Sequence, residues 1–313
     1  MRETKAPAAK RGLLQLTGVV VDILQKVERL PQPGEEVAAE AALVGAGGGF
    51  NALAAARRAG ADAAYGGALG VGPFADIARR ALADIGAPAL QRRMMPIDQG
   101  FCTVLVERGG ERAYVYSAGA ERAATAEDLA ALPAAEFAWV LLGGYAAPPD
   151  AEPDIFGDWL AALPLGVRLM FDPTPLVLAV GRARVAKALA RADWVSANRS
   201  EAEALTGKTP ALAARALSQG REGAIVRDGA RGCWISQAGG AVRLIEGFRV
   251  EAVDTTGAGD AHIGAFIAAR IAGRTTFDAA RFANAAAALS VTRLGAATAP
   301  GLDEASAFLG TRV

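Results

Sequence analysis

Residues Val253 to His262 of this 313-residue chain read VDTTGAGDAH, and they lead into the apolar stretch IGAFIAARIA, which stops at Gly273. Glycines at the start of a helix leave backbone N–H groups bare. The N–H groups of Gly257, Ala258 and Gly259 are therefore expected to converge at the positive end of the helix dipole. This arrangement predicts a site for a phosphate group or for a developing negative charge.

Asp260 follows this bare backbone and falls in the first turn of the predicted helix. A carboxylate there would repel a bound phosphate, unless it takes a proton from a hydroxyl group that attacks the phosphate. Alternatively, Asp260 caps the helix and favours its dipole, which contributes about 0.3–1 kcal/mol. The local pattern leaves both interpretations open. The three small residues before Asp260 favour the catalytic one, because a cap does not require bare backbone.

A second glycine-rich stretch, GAGGGFN at residues 45–51, precedes the predicted helix ALAAARRAG. Its consecutive glycines would let a polar ligand lie against main-chain N–H groups. Asn51 has a side chain that both donates and accepts, which suits sugar hydroxyls. The alternative is a tight turn from strand to helix with Asn51 as the N-cap.

Further polar side chains follow predicted strands, where ligands of open α/β sheets bind. Asp172 ends the strand RLMFD, and Asn198 and Glu201 follow DWVSA. Their spacing of three would let Asn198 and Glu201 hold a hydrated magnesium ion through water, but it is equally typical of a capping box. Asp22, just past the first strand, either binds substrate hydroxyls or lies in a turn.

Composition excludes several classes of function. The 33 Lys and Arg balance the 33 Asp and Glu, so no net charge attracts nucleic acid or an anionic membrane. No uncharged apolar run approaches the roughly 18–20 residues of a membrane span, and the basic start lacks the long apolar segment of a signal peptide, which favours a cytoplasmic protein. A single histidine, His262, and two cysteines exclude a histidine-rich or thiolate metal site. The glycine stretches fit neither a P-loop nor a dinucleotide fingerprint.

Short apolar runs alternate with alanine-rich helical stretches, which predicts βα units and an α/β fold with a mostly parallel sheet. The predicted core strands are 13–20, 63–69, 138–142, 168–171, 193–197 and 224–227. The predicted helices are 51–58, 73–84, 126–132, 182–191, 201–205, 212–219, 261–272 and 277–291. Residues 22–44 and 99–117 break this rhythm, and the second stretch is typical of a hairpin with Gly109 and Gly110 at its turn. Both are expected to form a small lid over the edge of the sheet.

Three motifs together resemble the ribokinase, or PfkB, family of carbohydrate kinases: DTTGAGD at 254–260, GGGFNALAAARRAG at 47–60 and NRSE at 198–201. The resemblance implies a single ribokinase-like domain over residues 1–313, with three α/β/α layers, a mostly parallel central sheet and a small β lid. The core would comprise about residues 1–20, 45–98 and 118–313, and the lid about residues 21–44 and 99–117. The lid further implies a homodimer.

The same resemblance implies a role for each matching residue. Asp260 would be the catalytic base, and Gly257, Ala258 and Gly259 would form the anion hole. The remaining sets are as follows: Asp22, Gly48, Gly49 and Asn51 for the sugar; Asn198, Glu201, Arg227, Gly229, Gly232 and Asn284 for the nucleotide; Glu201 for Mg²⁺ through water; and Asp254, with the segment 292–296, for a monovalent cation such as K⁺.

The chain departs from typical ribokinases at two places. Gly49 and Phe50 stand where those proteins carry a lysine, and 143–145 (GGY) stands where they carry an acid. The stretch from Gly100 to Glu121 is more similar to bacterial sugar kinases whose acceptor is poorly defined. The sequence thus predicts an ATP-dependent, magnesium-requiring kinase acting on a hydroxymethyl group of a sugar or related molecule. The alternatives are a nucleoside kinase of the same family and a sugar-binding regulator without turnover.

Overall fold

The computed structural model describes residues 11–91, 94–109, 111–146, 154–175 and 182–311. Residues 1–10, most of the basic start, lie outside the described residues. The strands in chain order are β1 (Arg11–Gln15), β2 (Val19–Val27), β3 (Ala39–Gly48), β4 (Ala63–Tyr65), β5 (Leu69–Gly70), β6 (Met94–Met95), β7 (Phe101–Glu107), β8 (Arg112–Ser117), β9 (Phe137–Gly143), β10 (Arg168–Asp172), β11 (Trp194–Asn198), β12 (Gly223–Arg227), β13 (Gly232–Gln237) and β14 (Val242–Glu246). The helices are α1 (Gly49–Arg58), α2 (Pro73–Asp84), α3 (Ala126–Ala130), α4 (Ile155–Ala162), α5 (Arg182–Arg191), α6 (Arg199–Thr206), α7 (Pro210–Ser218), α8 (Ala258–Ile271), α9 (Thr276–Ser290) and α10 (Leu302–Gly310).

The central sheet has eight strands in the order β14-β13-β12-β11-β10-β9-β1-β4. The six strands from β12 to β4 are parallel, whereas β13 and β14 pair antiparallel at one edge. Parallel strands require crossover connections, and here helices supply most of them. The predicted mostly parallel α/β sheet is therefore confirmed.

Alternate residues of the strands enter two separate apolar cores, one on each face of the sheet. On one face, Leu13, Trp139 and Met170 pack with α1, α8 and α9. On the other face, Leu14 and Val140 pack with the layer that contains α4 to α7. Helices cover both faces of the sheet, which gives three α/β/α layers. The strands are therefore apolar at nearly every position. None of the described helices is long and apolar enough to cross a bilayer.

A separate four-stranded sheet, with the order β3-β2-β7-β8, forms the lid. Strand β2 pairs with β3 antiparallel and with β7 parallel, and β7 and β8 form the hairpin that the sequence predicts. Its strands reach further than the predicted lid segments, since β2 begins at Val19 and β3 runs on to Gly48.

Several sequence predictions of single elements were wrong. The predicted strand 13–20 is two strands, β1 and β2, which belong to different sheets and are separated at Thr17 and Gly18. The predicted strand 63–69 is likewise divided into β4 and β5. Helices α4 and α10 and the antiparallel strands β13 and β14 were missed.

Candidate active site

The start of helix α8 lies beside the carboxyl ends of β10, β11 and β12. Its N-cap, Gly257, has φ +71°, a left-handed conformation that glycine adopts without strain. A glycine has no side chain with which to bond the first-turn N–H groups, and those groups have no partner within the helix. No side chain caps this turn; the backbone N–H of Ala258 donates to the carbonyl oxygen of Thr255 at 3.3 Å, and Asp260 lies in the same turn.

Asp260 does not cap α8. The capping position belongs to Gly257, and a carboxylate oxygen of Asp260 instead accepts a long hydrogen bond of 3.4 Å from Asn51 Nδ2. Burial, followed by the nearby negative charge of Asp172, raises the pKa of Asp260 to about 7, although Arg227 and Asn51 act in the opposite direction. A carboxylate with a pKa near 7 suits a general base at neutral pH.

Asn51 also does not act as the N-cap of its helix. Helix α1 begins at Gly49 with Gly48 as its cap, and Asn51 lies within the first turn, 5% exposed. Its Oδ1 has no hydrogen-bond partner among the described residues. Helices α1 and α8 pack closely against each other at Gly264. A Cβ atom on Gly264 would lie 2.2 Å from the carbonyl oxygen of Ala52, so a larger residue would push the helices apart.

Asp22 extends from lid strand β2 over the end of β3. A Cβ atom on Gly47 would lie 1.8 Å from Asp22 Oδ2, so glycine is required under this carboxylate. Burial raises the pKa of Asp22 to about 6. Gly48 has φ +58°, and Gly49 lies so close to Thr17 that a Cβ atom would be 2.1 Å from its carbonyl oxygen. Asp22 thus lies at the junction between lid and core.

Arg227 lies at the end of β12 among three carboxylates. Its Nη2 is 3.5 Å from Asp172 and 3.4 Å from Glu201, and its Nη1 would be 2.9 Å from a Cβ atom on Gly259. Burial opposes the charge, but Asp172, Glu201 and Asp260 together raise the pKa of Arg227 above its ordinary value. Its Nε and Nη1 are buried without a hydrogen-bond partner among the described residues. Arg227 therefore brings unused donors to the first turn of α8.

Asn198 and Glu201 form the capping box that the sequence left open as an alternative. Asn198 Oδ1 accepts from the backbone N–H of Glu201, and Glu201 Oε2 accepts from the backbone N–H of Asn198. The Asn198 amide group donates to Glu201 Oε1 at 2.7 Å. Burial and the charge of Asp172 raise the pKa of Glu201, against the effect of Arg227. Because both carboxylate oxygens have protein donors, Glu201 fits magnesium only through water.

The turn between β12 and β13 holds the other predicted nucleotide residues. Gly229 has φ +58° and Gly232 has φ +98°, and a Cβ atom on Gly232 would lie 2.1 Å from the carbonyl oxygen of Ile245. Asp228 is buried below this turn and accepts from Trp234 Nε1 and from Arg199. These glycines shape the turn, and they can contact a ligand only through their backbone.

Asn284 does not present its side chain to a ligand. Its Nδ2 donates to the carbonyl oxygens of Ile245 and Glu246, and its Oδ1 lies 3.2 Å from His262 Nε2. Asn284 is 5% exposed, so it connects α9 to β14 and can affect a nucleotide only by holding that strand. Burial lowers the pKa of His262 to about 3, which keeps it neutral.

Two features of the site were missed. Arg112 on lid strand β8 contacts Asp254, and no local pattern in the sequence marks this long-range pair. The ion pair of Asp172 with Arg227 also joins distant segments, although the position of Asp172 at a strand end indicated that Asp172 belongs to the site. Tyr145 is 49% exposed, whereas Phe50 is buried in the core and cannot stack on a ligand.

Comparison with known proteins identifies the family of the chain. The family model for pfkB family carbohydrate kinases matches residues 16–303. The uncharacterized sugar kinase YegV of Escherichia coli K12 is 30% identical over 304 residues, covering 94% of this chain and 93% of that protein. Ribokinase of Haemophilus influenzae is 28% identical over 299 residues, covering 92% and 94%. The crystal structure of ribokinase from Thermotoga maritima superposes with a TM-score of 0.82 at 25% identity, covering 96% and 99% of the two chains.

Proposed function

Because the chain belongs to the pfkB family of carbohydrate kinases, which are phosphotransferases with an alcohol acceptor, we propose that it transfers the γ-phosphoryl group of ATP to a hydroxymethyl group. The acceptor is a sugar or a closely related polyol or nucleoside. The observation that carries the proposal is the position of Asp260, in the first turn of α8, which has no side-chain cap, and beside Asn51.

Asp260 is the general base in this proposal. It accepts the proton of the acceptor hydroxyl as that oxygen attacks the γ-phosphorus, and the bond to the β-phosphate oxygen breaks. Asn51 Nδ2 holds one carboxylate oxygen, which orients the other toward the acceptor and favours the charged form of Asp260. Asn51 Oδ1, buried and without a described partner, is available to accept from a second hydroxyl of the acceptor.

The backbone N–H groups of Gly257, Ala258 and Gly259 stabilise the charge on the phosphoryl oxygens. Donors fixed in place at a helix start need no reorganisation when charge develops, and losing one such donor typically costs about 10²–10³ in kcat. Arg227 adds a cation beside Gly259, and the phosphoryl group would satisfy its unused Nε and Nη1 donors.

The nucleotide, as its magnesium complex, lies along the carboxyl ends of β11 and β12 in this proposal. Glu201 and Asp172 supply the negative charge that attracts the hydrated magnesium ion, with Glu201 acting through water and Asn198 holding Glu201 in place. The backbone of the turn at Gly229 and Gly232 borders the nucleotide. Magnesium supplies charge neutralisation on the phosphates when it is bound with ATP.

The acceptor lies between lid and core in this proposal. Asp22 from the lid and the backbone of Gly48 and Gly49 from the core bind its hydroxyl groups, because buried carboxylates and bare amides discriminate hydroxyl-bearing ligands strongly. Tyr145, half exposed at the edge of the site, offers an aromatic face to a sugar ring or a base.

The lid also provides the surface for a homodimer. Val44, Ile23, Thr103 and Val115 are paired in one row across the four strands, on the face opposite to the row that contains Asp22. Val44 and Val115 are 57% and 64% exposed. We propose that this apolar outer face is buried between two copies of the chain, and that the enzyme acts in the cytoplasm, where ATP is available.

A coupled assay of ADP release tests the proposed function. Pentoses, hexoses, sugar acids, polyols and nucleosides are supplied one at a time with magnesium and ATP, and acceptor-dependent ADP release is expected with at least one sugar or polyol. Turnover only with nucleosides would assign the alternative, a nucleoside kinase. Binding of a sugar without ADP release from any acceptor would contradict the proposal and favour a regulator.

A further inference from the structure

Asp254 is a buried carboxylate whose hydrogen bonds connect three segments of the chain. Its Oδ1 accepts from Arg112 Nη2 at 2.6 Å, from the backbone N–H of Thr256 at 2.9 Å and from Thr256 Oγ1 at 2.7 Å. Its Oδ2 accepts from the backbone N–H of Gly295 at 2.9 Å. The side chain of Asp254 is 5% exposed and that of Arg112 is 19% exposed, so solvent screens this ion pair only weakly.

This arrangement does not fit the monovalent cation that the family resemblance implies at Asp254. A carboxylate that helps to bind a cation offers it free lone pairs and uncompensated negative charge, whereas Asp254 Oδ1 has three protein donors and Oδ2 has one. The guanidinium group of Arg112 already places a full positive charge within 2.6 Å of the carboxylate. A second cation beside Oδ2 would be repelled by it.

We propose that Arg112 replaces the monovalent cation, so that the enzyme requires no added K⁺ and its anion hole is set by closure of the lid. This inference rests on the proposed kinase function. Arg112 is a positioning residue, because it contacts Asp254 and not the reacting atoms.

The contacts that follow Asp254 explain how Arg112 acts on the anion hole. Asp254 holds the loop that leads into α8, since its carboxylate accepts both the backbone N–H and the hydroxyl of Thr256, one residue before Gly257. The backbone N–H groups of Val253 and Asp254 donate to the carbonyl oxygen of Val291, which fixes the loop from the other side. A charge that holds Asp254 therefore also holds the amides of the first turn.

The location of Arg112 links this charge to the lid. Arg112 begins β8, an outer strand of the lid sheet, and Asp254 belongs to the core. A diffusible cation would bind Asp254 whether the lid is open or closed, whereas Arg112 reaches Asp254 only when the lid lies over the core. The chain would thus complete its anion hole at the same time as it covers the acceptor, which excludes water from the reaction.

The first test needs no variant. The kinase reaction of the wild-type protein is measured in KCl, NaCl and tetramethylammonium chloride at one ionic strength, with the magnesium concentration fixed. The three rates are expected to agree within about twofold. Activation of tenfold or more by K⁺ over tetramethylammonium would overturn the proposal.

The second test removes the charge. Arg112→Ala is expected to lower kcat at least tenfold in tetramethylammonium chloride, and K⁺ or added guanidinium ion is expected to restore part of the loss, because the vacated space then accepts a cation. Arg112→Lys, which keeps the charge, is expected to retain more activity than Arg112→Ala. An Arg112→Ala protein as active as wild type in all salts would contradict the proposal.

A control and a binding readout separate this inference from the proposed function. Arg108→Ala removes an exposed lid arginine that pairs with Glu40, and it is expected to behave like wild type in every salt. Thermal unfolding is followed during a K⁺ titration at constant ionic strength, because a ligand that binds the folded state raises the Tm. Arg112→Ala is expected to gain a K⁺-dependent rise in Tm that wild type lacks, whether or not an acceptor has been found. A K⁺-dependent rise in wild type would refute the inference even if the kinase assay succeeds.

Discussion

Asp260 and Asn51 act as a pair in this site, and the environment of Asp260 sets its ionisation. Asp260 lies where burial and the charge of Asp172 raise its pKa, and where Arg227 and Asn51 limit that rise. The resulting pKa of about 7 places the change of charge in the physiological range. Such a carboxylate is a weak base in acid and an effective one above neutrality.

We therefore predict that kcat/KM for the acceptor, which reports the ionisation of the free enzyme, rises with pH between pH 6 and 8. A base must be deprotonated to act, and a group of pKa about 7 is only about one-tenth deprotonated at pH 6. His262 cannot produce this rise, since its pKa is lowered to about 3 and it stays neutral throughout. The measurement is kcat/KM for the acceptor against pH. A flat profile between pH 6 and 8 would contradict the assignment.

Asn51→Ala tests the partner of the base. Loss of its Nδ2 donor removes a hydrogen bond that favours the charged form of Asp260, so the midpoint of the kcat/KM profile is expected to move to higher pH. The value of kcat at the plateau is expected to fall at least tenfold, because the carboxylate loses its orientation. An unchanged midpoint, measured on a protein with wild-type Tm, would show that Asn51 serves another purpose.

Among single residues, the sequence identified those that lie next to local glycine patterns. The glycine N-cap of α8 and the candidates Asp260 and Asn51 could be identified because glycines next to a polar side chain are short-range features. Arg112 was not predicted, because its partner Asp254 is 142 positions away and neither residue has an unusual neighbourhood. The Asn284 side chain was assigned to the nucleotide by resemblance, but its hydrogen bonds are all internal.

Between elements, the close contact of α1 and α8 brings the two glycine-rich stretches together. Gly264 lies in the interior of α8, where any larger residue would press on the backbone of α1 at Ala52. The same two helices carry Asn51 and Asp260 at their starts, so their spacing sets the distance between those side chains.

Gly264→Ala is predicted to destabilise the protein by about 1–3 kcal/mol, the usual range for overpacking, and to lower activity. The measurement is urea unfolding together with kcat. Gly310→Ala is the matched control, since it adds the same methyl group to a helix where nothing lies within 4 Å of the new Cβ atom. Equal stability of the two variants would show that the contact of α1 with α8 tolerates a larger residue.

Element prediction failed where tertiary structure, and not periodicity, sets the boundary. The apolar run 13–20 looks like one strand, but the chain leaves the central sheet at Thr17, whose hydroxyl accepts from the backbone N–H of Gly143, and enters the lid at Val19. Strand β14 forms the sheet edge and is only partly buried, whereas β13 lies inside the sheet and is mostly buried but ends in the polar residues Ser236 and Gln237. Neither strand is therefore a continuous apolar run like the parallel strands.

For the whole molecule, we propose different roles for the two faces of the lid. The row that contains Asp22 includes Cys102 and Tyr116, whereas the opposite row contains Val44, Ile23, Thr103 and Val115. The sequence predicted the lid because its strands lack following helices. It could not predict which face meets the core, because both faces carry apolar residues.

The dimer is tested by Val115→Asp. We expect wild type to have the mass of two chains in light scattering, and the variant to have the mass of one, because an unpaired charge is costly inside an apolar interface. Tyr114→Asp is the control on the other face of the same strand, where Tyr114 is 60% exposed. A monomeric wild type, or a dimeric Val115→Asp protein, would contradict the proposed interface.

We propose that Asp260 removes the proton from the acceptor hydroxyl as the phosphoryl group arrives. Its most direct test is the kcat of Asp260→Asn with the best acceptor found, compared with Asp303→Asn, which changes an exposed acid in the first turn of another helix. We predict that Asp260→Asn lowers kcat by at least about 10²-fold, the low end for loss of a general base, with the fold retained and Asp303→Asn unaffected. A folded Asp260→Asn protein with nearly wild-type turnover would contradict the assignment of Asp260 as the general base.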